Sequence, residues 1–120
     1  MTDAELYERA VAAAQRAYAP YSNYLVGAAV LTRDGQVIEG VNVENAAYPL
    51  GVCAEKSAFT HAVTDGCKPG DLEAIGITAS PCGGCRQWLH EFRVERATYL
   101  YDGAVVTRTV EQLLPDSWDF

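Results

Sequence analysis

The stretch whose reading decides the fold is Asn42-Val43-Glu44-Asn45-Ala46-Ala47-Tyr48-Pro49-Leu50-Gly51-Val52-Cys53-Ala54-Glu55-Lys56-Ser57-Ala58-Phe59. It opens as the polar tip of a strand that begins near Gln36 and ends at Val43. It then crosses a Pro-Gly turn and enters a helix whose first residues are Cys53, Ala54 and Glu55, running to about Thr64. A strand that ends in Asn42 and Glu44 thus feeds a helix that starts on a thiol and a carboxylate.

Upstream, Thr2 or Asp3 can cap a helix reaching about Tyr18, with Leu6, Ala10, Ala13, Ala14 and Ala17 on its apolar face and Pro20 as its stop. Val26 to Thr32 reads as a strand, joined to the next by Arg33-Asp34-Gly35, a strong hairpin signal. Downstream, Asp65-Gly66 ends the second helix and Lys68-Pro69-Gly70-Asp71 forms a surface loop. Ala74 to Ala79 is an almost wholly apolar strand, as expected where both faces are covered. A third helix starts just after Pro81 and reaches about Phe92. Arg96 to Tyr101 and Ala104 to Arg108 pair through Asp102-Gly103, and Thr109 caps a last short helix, Val110 to Leu114. The order α-β-β-α-β-α-β-β-α predicts an α/β fold, a three-layer α-β-α sandwich around a five-stranded mixed sheet.

At 120 residues the chain makes one domain, 1–120. Hydrophobic residues at 49% support a globular core and exclude disorder. A formal net charge of −7 disfavours nucleic acid or an anionic membrane as partner, since both need a basic face. No apolar run approaches the roughly 20 residues of a membrane span. The acidic start, Met1-Thr2-Asp3-Ala4-Glu5, carries no signal-peptide pattern, so a cytoplasmic location is expected. There the four cysteines stay reduced, which favours metal binding or catalysis over disulfides.

Three of those cysteines sit at helix starts. Cys82 and Cys85, in Ser80-Pro81-Cys82-Gly83-Gly84-Cys85-Arg86-Gln87, are three apart, so both sulfurs face the same way on a first helical turn. Gly83 and Gly84 let the backbone come close to something bulky. A helix N-terminus favours thiolates through its free N–H groups and dipole. Cys53 opens a second helix, and two such ends meeting give a three-thiolate zinc pocket with one position open, the arrangement of a catalytic rather than a structural zinc. Glu55 lies two residues after Cys53; on a helix the two do not share a face, so Glu55 is expected beyond the ligand set, as the group that moves protons. A C-x-x-C pair alone also reads as a redox pair or as half of a structural zinc site. The combination of Cys-Ala-Glu at one helix start with Pro-Cys-x-x-Cys at another is the all-cysteine form of the zinc deaminase pattern.

On these motifs the chain resembles the small zinc-dependent cytidine deaminases of pyrimidine salvage. The likeness runs through Ala19-Pro20-Tyr21-Ser22, Val26-Gly27-Ala28-Ala29, Asn42 to Tyr48, Cys53-Ala54-Glu55, Ser80 to Gln87 and Glu111-Gln112-Leu113-Leu114-Pro115. It implies hydrolytic deamination of cytidine and 2′-deoxycytidine, with Cys53, Cys82 and Cys85 on zinc and Glu55 as proton shuttle. It further implies that Asn42 and Glu44 hold the ribose, that Tyr24 lies against the base, and that Ala54 contacts substrate. Ala46 and Tyr48 would serve a neighbouring subunit's site, and Trp118 would cover the base across an interface, in a homotetramer. The partner implied is a pyrimidine nucleoside.

The residues add their own support. Asn42 and Glu44 are i and i+2, on one face of a strand end, and an amide with a carboxylate suits neutral hydroxyls. A carboxylate there repels a 5′-phosphate, and no glycine-rich phosphate loop offsets it. The pattern departs from its relatives in three places. Lys56 stands where Arg is frequent, the loop before Ser80 is short, and the chain stops at Phe120 just past Trp118. A deaminase of another cytosine-bearing compound, a non-catalytic zinc module and a thiol-redox protein are the competing readings. His61 and His90 are expected on the surface, Cys67 as a spare thiol, and Arg86 and Gln87 as braces of the ligand loop.

Overall fold

The computed structural model describes all 120 residues, Met1 to Phe120. Helix α1 spans Asp3–Ala14 and opens with a reciprocal cap: Thr2 Oγ1 accepts from the Glu5 N–H, and the Glu5 carboxylate accepts from the Thr2 N–H at 2.8 Å. The hairpin of β1 (Gly27–Thr32) and β2 (Val37–Val41) follows. A single 3₁₀ turn, Tyr48–Leu50, leads into α2 (Ala54–Thr64). Then come β3 (Leu72–Ile77), α3 (Gly83–Glu91), β4 (Arg96–Tyr101), β5 (Ala104–Thr109) and α4 (Val110–Leu113).

The sheet order is β2-β1-β3-β4-β5, with β3 and β4 parallel and the other pairs antiparallel, so the sheet is mixed as expected. Helix α1 covers one face, where Leu6 and Ala10 meet Ala29, Leu31 and Ala74. The larger core lies on the other face: Ala58, Phe59 and Ala62 of α2 and Leu89 of α3 pack on Val30, Ile75 and Ile77. That is the three-layer sandwich.

Several boundaries differ from the sequence reading: β2 ends at Val41 and β3 at Ile77, two residues early each, and two further shifts have a clear cause. Helix α1 stops at Ala14 rather than near Tyr18, because Tyr18 forms a parallel bridge with Val43. The Tyr18 N–H donates to the Asn42 carbonyl at 3.0 Å, and the Glu44 N–H donates to the Tyr18 carbonyl at 2.8 Å. Strand β3 begins at Leu72 instead of Ala74. The charge of Glu73 masks its start in the sequence; in the fold that carboxylate pairs with Arg96 at 2.9 Å.

The topology places the site. Both β2 and β3 are antiparallel to β1, so they run the same way and leave the sheet at the same edge. The helices that follow them, α2 and α3, therefore start close together. Gly40 sets the height of α2 above the sheet. A Cβ there would lie 2.2 Å from the Ala58 nitrogen and 2.6 Å from the Ala54 carbonyl oxygen, so only glycine lets α2 settle this deep.

Candidate metal centre and substrate pocket

Where those two helix starts meet, a pocket of about 720 Å³ opens, within the roughly 300–1,000 Å³ usual for small-molecule sites. Cys53, Glu55, Cys82 and Cys85 line it, and so do Asn42 and Glu44.

Cys53 and Cys82 are not inside their helices. Each is the N-cap, in extended conformation, with Ala54 and Gly83 as the first helical residues. This changes the geometry expected for Glu55. Because Cys53 is extended, the helical i, i+2 divergence does not apply, and the Glu55 carboxylate, Cys53 Sγ and Cys85 Sγ all lie within 4.8 Å of one another. The two sulfurs are 3.0 Å apart. A tetrahedral ion with Zn–S bonds of about 2.3 Å sets its sulfurs about 3.8 Å apart, so Cys53 and Cys85 would share one zinc by parting by less than about 1 Å. The third thiol, Cys82, lines the same pocket but is solvent-exposed and stands outside that tight group. The closest sulfur pair thus joins two helices, and the C-x-x-C pair expected of a redox centre is not the one in contact.

The environment sorts the protons. The Cys85 thiol donating to it holds Cys53 down to about 7 against its partial burial, helped by the Lys56 backbone N–H and ammonium. The same shared proton, then burial and the Glu55 charge, push Cys85 up. Glu55 is only 5% exposed, and burial raises its carboxyl above the ordinary carboxylate range. Lys56 carries its ammonium 6.0 Å over the Trp88 ring. Arg86 braces the ligand loop as expected: its Nε donates to the Pro81 carbonyl at 2.9 Å and Nη1 to the Leu113 carbonyl at 3.1 Å.

Glu44 takes three hydrogen bonds from the Ala19–Val26 loop. Tyr21 N–H and Ser22 N–H donate to Oε1 at 2.9 and 3.1 Å, and the Ser22 hydroxyl donates to Oε2. The hydroxyl first, then the N–H groups, hold this half-buried carboxyl below its usual range. Asn42 Oδ1 accepts from the Val26 N–H at 2.8 Å, and Nδ2 donates to the Tyr24 carbonyl at 2.9 Å.

The remaining expected residues scatter. Ala54 lines the pocket and is fully buried; Tyr48 lines its mouth and is 89% exposed. Tyr24 is exposed and outside the lining, where Tyr21 stands instead. Ala46 is exposed, and Trp118 is exposed and outside its own chain's pocket, with Gln87 Nε2 donating to its carbonyl at 3.1 Å. Gln87 therefore holds the C-terminal segment rather than the ligand loop. Sequence reasoning gave no role to Gly40 or to the hydroxyl of Ser22; the Pro-Tyr-Ser motif was the only signal for the latter.

A buried carboxylate beside paired thiols at two helix starts is the equipment of a zinc-dependent hydrolase. Residues 1–101 match the family described as the cytidine and deoxycytidylate deaminase zinc-binding region, and the chain belongs to that family. It is 41% identical over 115 residues to the cytidine deaminase of Sporosarcina psychrophila, covering 88% of this chain and 83% of that protein. To the cytidine deaminase of Halalkalibacterium halodurans it is 40% identical over 122 residues, covering 94% and 91%. The crystal structure of cytidine deaminase from Burkholderia pseudomallei superposes with a TM-score of 0.90 at 41% identity, covering 98% of this chain and all (100%) of that one.

Proposed function

We propose that this protein hydrolyses cytidine, and 2′-deoxycytidine, to the uridine nucleoside and ammonia. The observation that carries the reading is one pocket lined both by the Cys53–Glu55–Cys85 group and by Asn42 with Glu44. Cys53, Cys82 and Cys85 would hold zinc; when bound, that ion supplies a Lewis acid able to lower the pKa of water to roughly 7.

Glu55 does the proton work. Its buried carboxylate accepts a proton from the attacking water and delivers it to ring N3 as the C4–O bond forms; it then takes the proton of the new C4 hydroxyl and passes it to the amine, which leaves as ammonia while the C4 carbonyl forms. Its raised affinity for protons suits a group that must both take and give them near neutral pH. A positioned group of this kind contributes about 10²- to 10⁴-fold.

Asn42 and Glu44 orient the sugar. After their bonds to the loop, Asn42 keeps one N–H and Glu44 keeps an acceptor site, so a single hydroxyl can satisfy both. One hydroxyl sufficing is the reason for accepting the deoxynucleoside. A carboxylate held ionised at this place disfavours a 5′-phosphate.

The assembly we propose is a homotetramer in which Ala46, Tyr48 and Trp118 act at a neighbour's site; exposed aromatic surface at Tyr48 and Trp118 supports it. Thiol ligands need a reducing compartment, which supports a cytoplasmic location. The test is conversion of cytidine to uridine by zinc-loaded protein, followed by chromatography, with Glu55→Gln alongside. Conversion by the parent alone is expected; a zinc-bearing Glu55→Gln variant that stays active would falsify the role given to Glu55.

A further inference from the structure

We infer that Ser22 is a positioning residue for sugar recognition, its hydroxyl fixing the Glu44 carboxylate so that one defined acceptor site is left for the substrate. The inference rests on the sugar-binding role proposed for Glu44.

The hydrogen-bond inventory makes the case. A carboxylate oxygen offers two acceptor sites, four in all. On Glu44 both sites of Oε1 are taken by the N–H groups of Tyr21 and Ser22, and one site of Oε2 is taken by the Ser22 hydroxyl. The direction of that hydroxyl is not free. Ser22 Oγ accepts the Tyr24 N–H at 3.0 Å, and an N–H cannot accept in return, so the Ser22 proton must go to Glu44. One acceptor site therefore remains, on Oε2.

The loop is built to hold this arrangement. Asn23 has φ 60°, a left-handed turn that asparagine tolerates better than most residues, and its N–H donates to the Ala19 carbonyl at 2.9 Å. The turn reverses the chain so that the Ser22 hydroxyl and both N–H donors face Glu44. Val26 N–H and the Tyr24 carbonyl are tied to Asn42 in the same way. Loop and sugar-binding side chains are one hydrogen-bonded unit, formed before any ligand arrives, and such preorganisation raises affinity by cutting the ordering cost of binding. Without the Ser22 hydroxyl, Oε2 rotates among alternative acceptor directions and a substrate hydroxyl must order it.

The experiment measures binding of uridine and of 2′,3′-dideoxyuridine, which lacks both sugar hydroxyls, to zinc-loaded parent, Ser22→Ala, Ser22→Thr and Glu44→Gln proteins by calorimetry. Taking the ratio of the two affinities within each variant cancels any general loosening of the fold. The parent is expected to prefer uridine, and Glu44→Gln to lose most of that preference. Ser22→Ala should weaken uridine binding about tenfold and leave dideoxyuridine unchanged, the effect of one charge-assisted hydrogen bond. Ser22→Thr, which keeps the hydroxyl, should restore the parent ratio. If Glu44→Gln loses the preference while Ser22→Ala retains it, the inference about Ser22 fails and the role of Glu44 stands. If Glu44→Gln itself retains the preference, the sugar-binding role fails and the inference falls with it.

Discussion

Glu55 and Glu44 line one pocket, and their surroundings treat them in opposite ways. Glu55 is buried at the start of α2, where loss of solvent raises its pKa. Glu44 sits half-buried on an irregular segment, where three donors from a loop lower its pKa. Two carboxylates driven apart by environment suit two tasks: one exchanges protons, the other stays an acceptor. The supports differ as well. Glu55 is carried by helix-on-sheet packing, with α2 seated on Gly40, whereas Glu44 and Asn42 are held by hydrogen bonds to a loop.

The strongest way to break the metal site is to remove a ligand. Cys85→Ala should release zinc, read by metal analysis of the purified protein, and reduce conversion of cytidine to background. Retained stoichiometric zinc with full turnover would show that the pocket is organised by other groups. Next in size, Glu55→Gln should keep zinc and lower kcat by about 10²- to 10⁴-fold, measured by steady-state turnover.

Much of this division was legible in the sequence. The helix and strand order followed from periodicity and turn residues, and the meeting of Cys53, Glu55 and Cys85 followed from two helix starts, while Cys82 stands outside that group. What the sequence hid was long-range. The end of α1 is decided by the Tyr18–Val43 bridge between segments distant in sequence, which overrides local helix preference. The nearness of Glu55 to Cys53 depends on an extended N-cap, which spacing on an ideal helix misses. The Ser22 brace depends on a loop turn at Asn23 meeting a strand end some twenty residues on, and no local pattern announces it.

Packing of α2 is tested by Gly40→Ala. The added Cβ meets backbone atoms of α2, which cannot rotate away, so the helix must lift. Overpacking of this sort costs about 1–3 kcal/mol. A lowered Tm together with weaker zinc retention is the expected pair, because the helix that lifts also carries the start of the metal site. A lower Tm with zinc affinity unchanged would uncouple α2 from the centre. Glu44→Gln should raise KM for cytidine by about 10- to 100-fold, since a charge-assisted hydrogen bond to the sugar is lost. Its metal content should equal the parent's.

The smallest effect bears most directly on the contrast between the two carboxylates, and it is read from Tm against pH for metal-free protein. Glu55 has a folded pKa raised above its unfolded value of about 4.3, so the stability linked to its neutral form is present below that value and is lost as pH rises through the folded pKa. Glu55→Gln cannot ionise; it should match the parent near pH 4 and melt higher above the folded pKa. Glu44 has a folded pKa below its unfolded one, so its contribution is present above about 4.3 and is lost as pH falls through the folded value. Glu44→Gln should therefore melt lower than the parent at neutral pH, with the gap closing in acid. Curves that shift in the same direction for both variants would mean that burial and loop donors do not set the two carboxylates apart, and the assignment of one to protons and the other to sugar would lose its electrostatic basis.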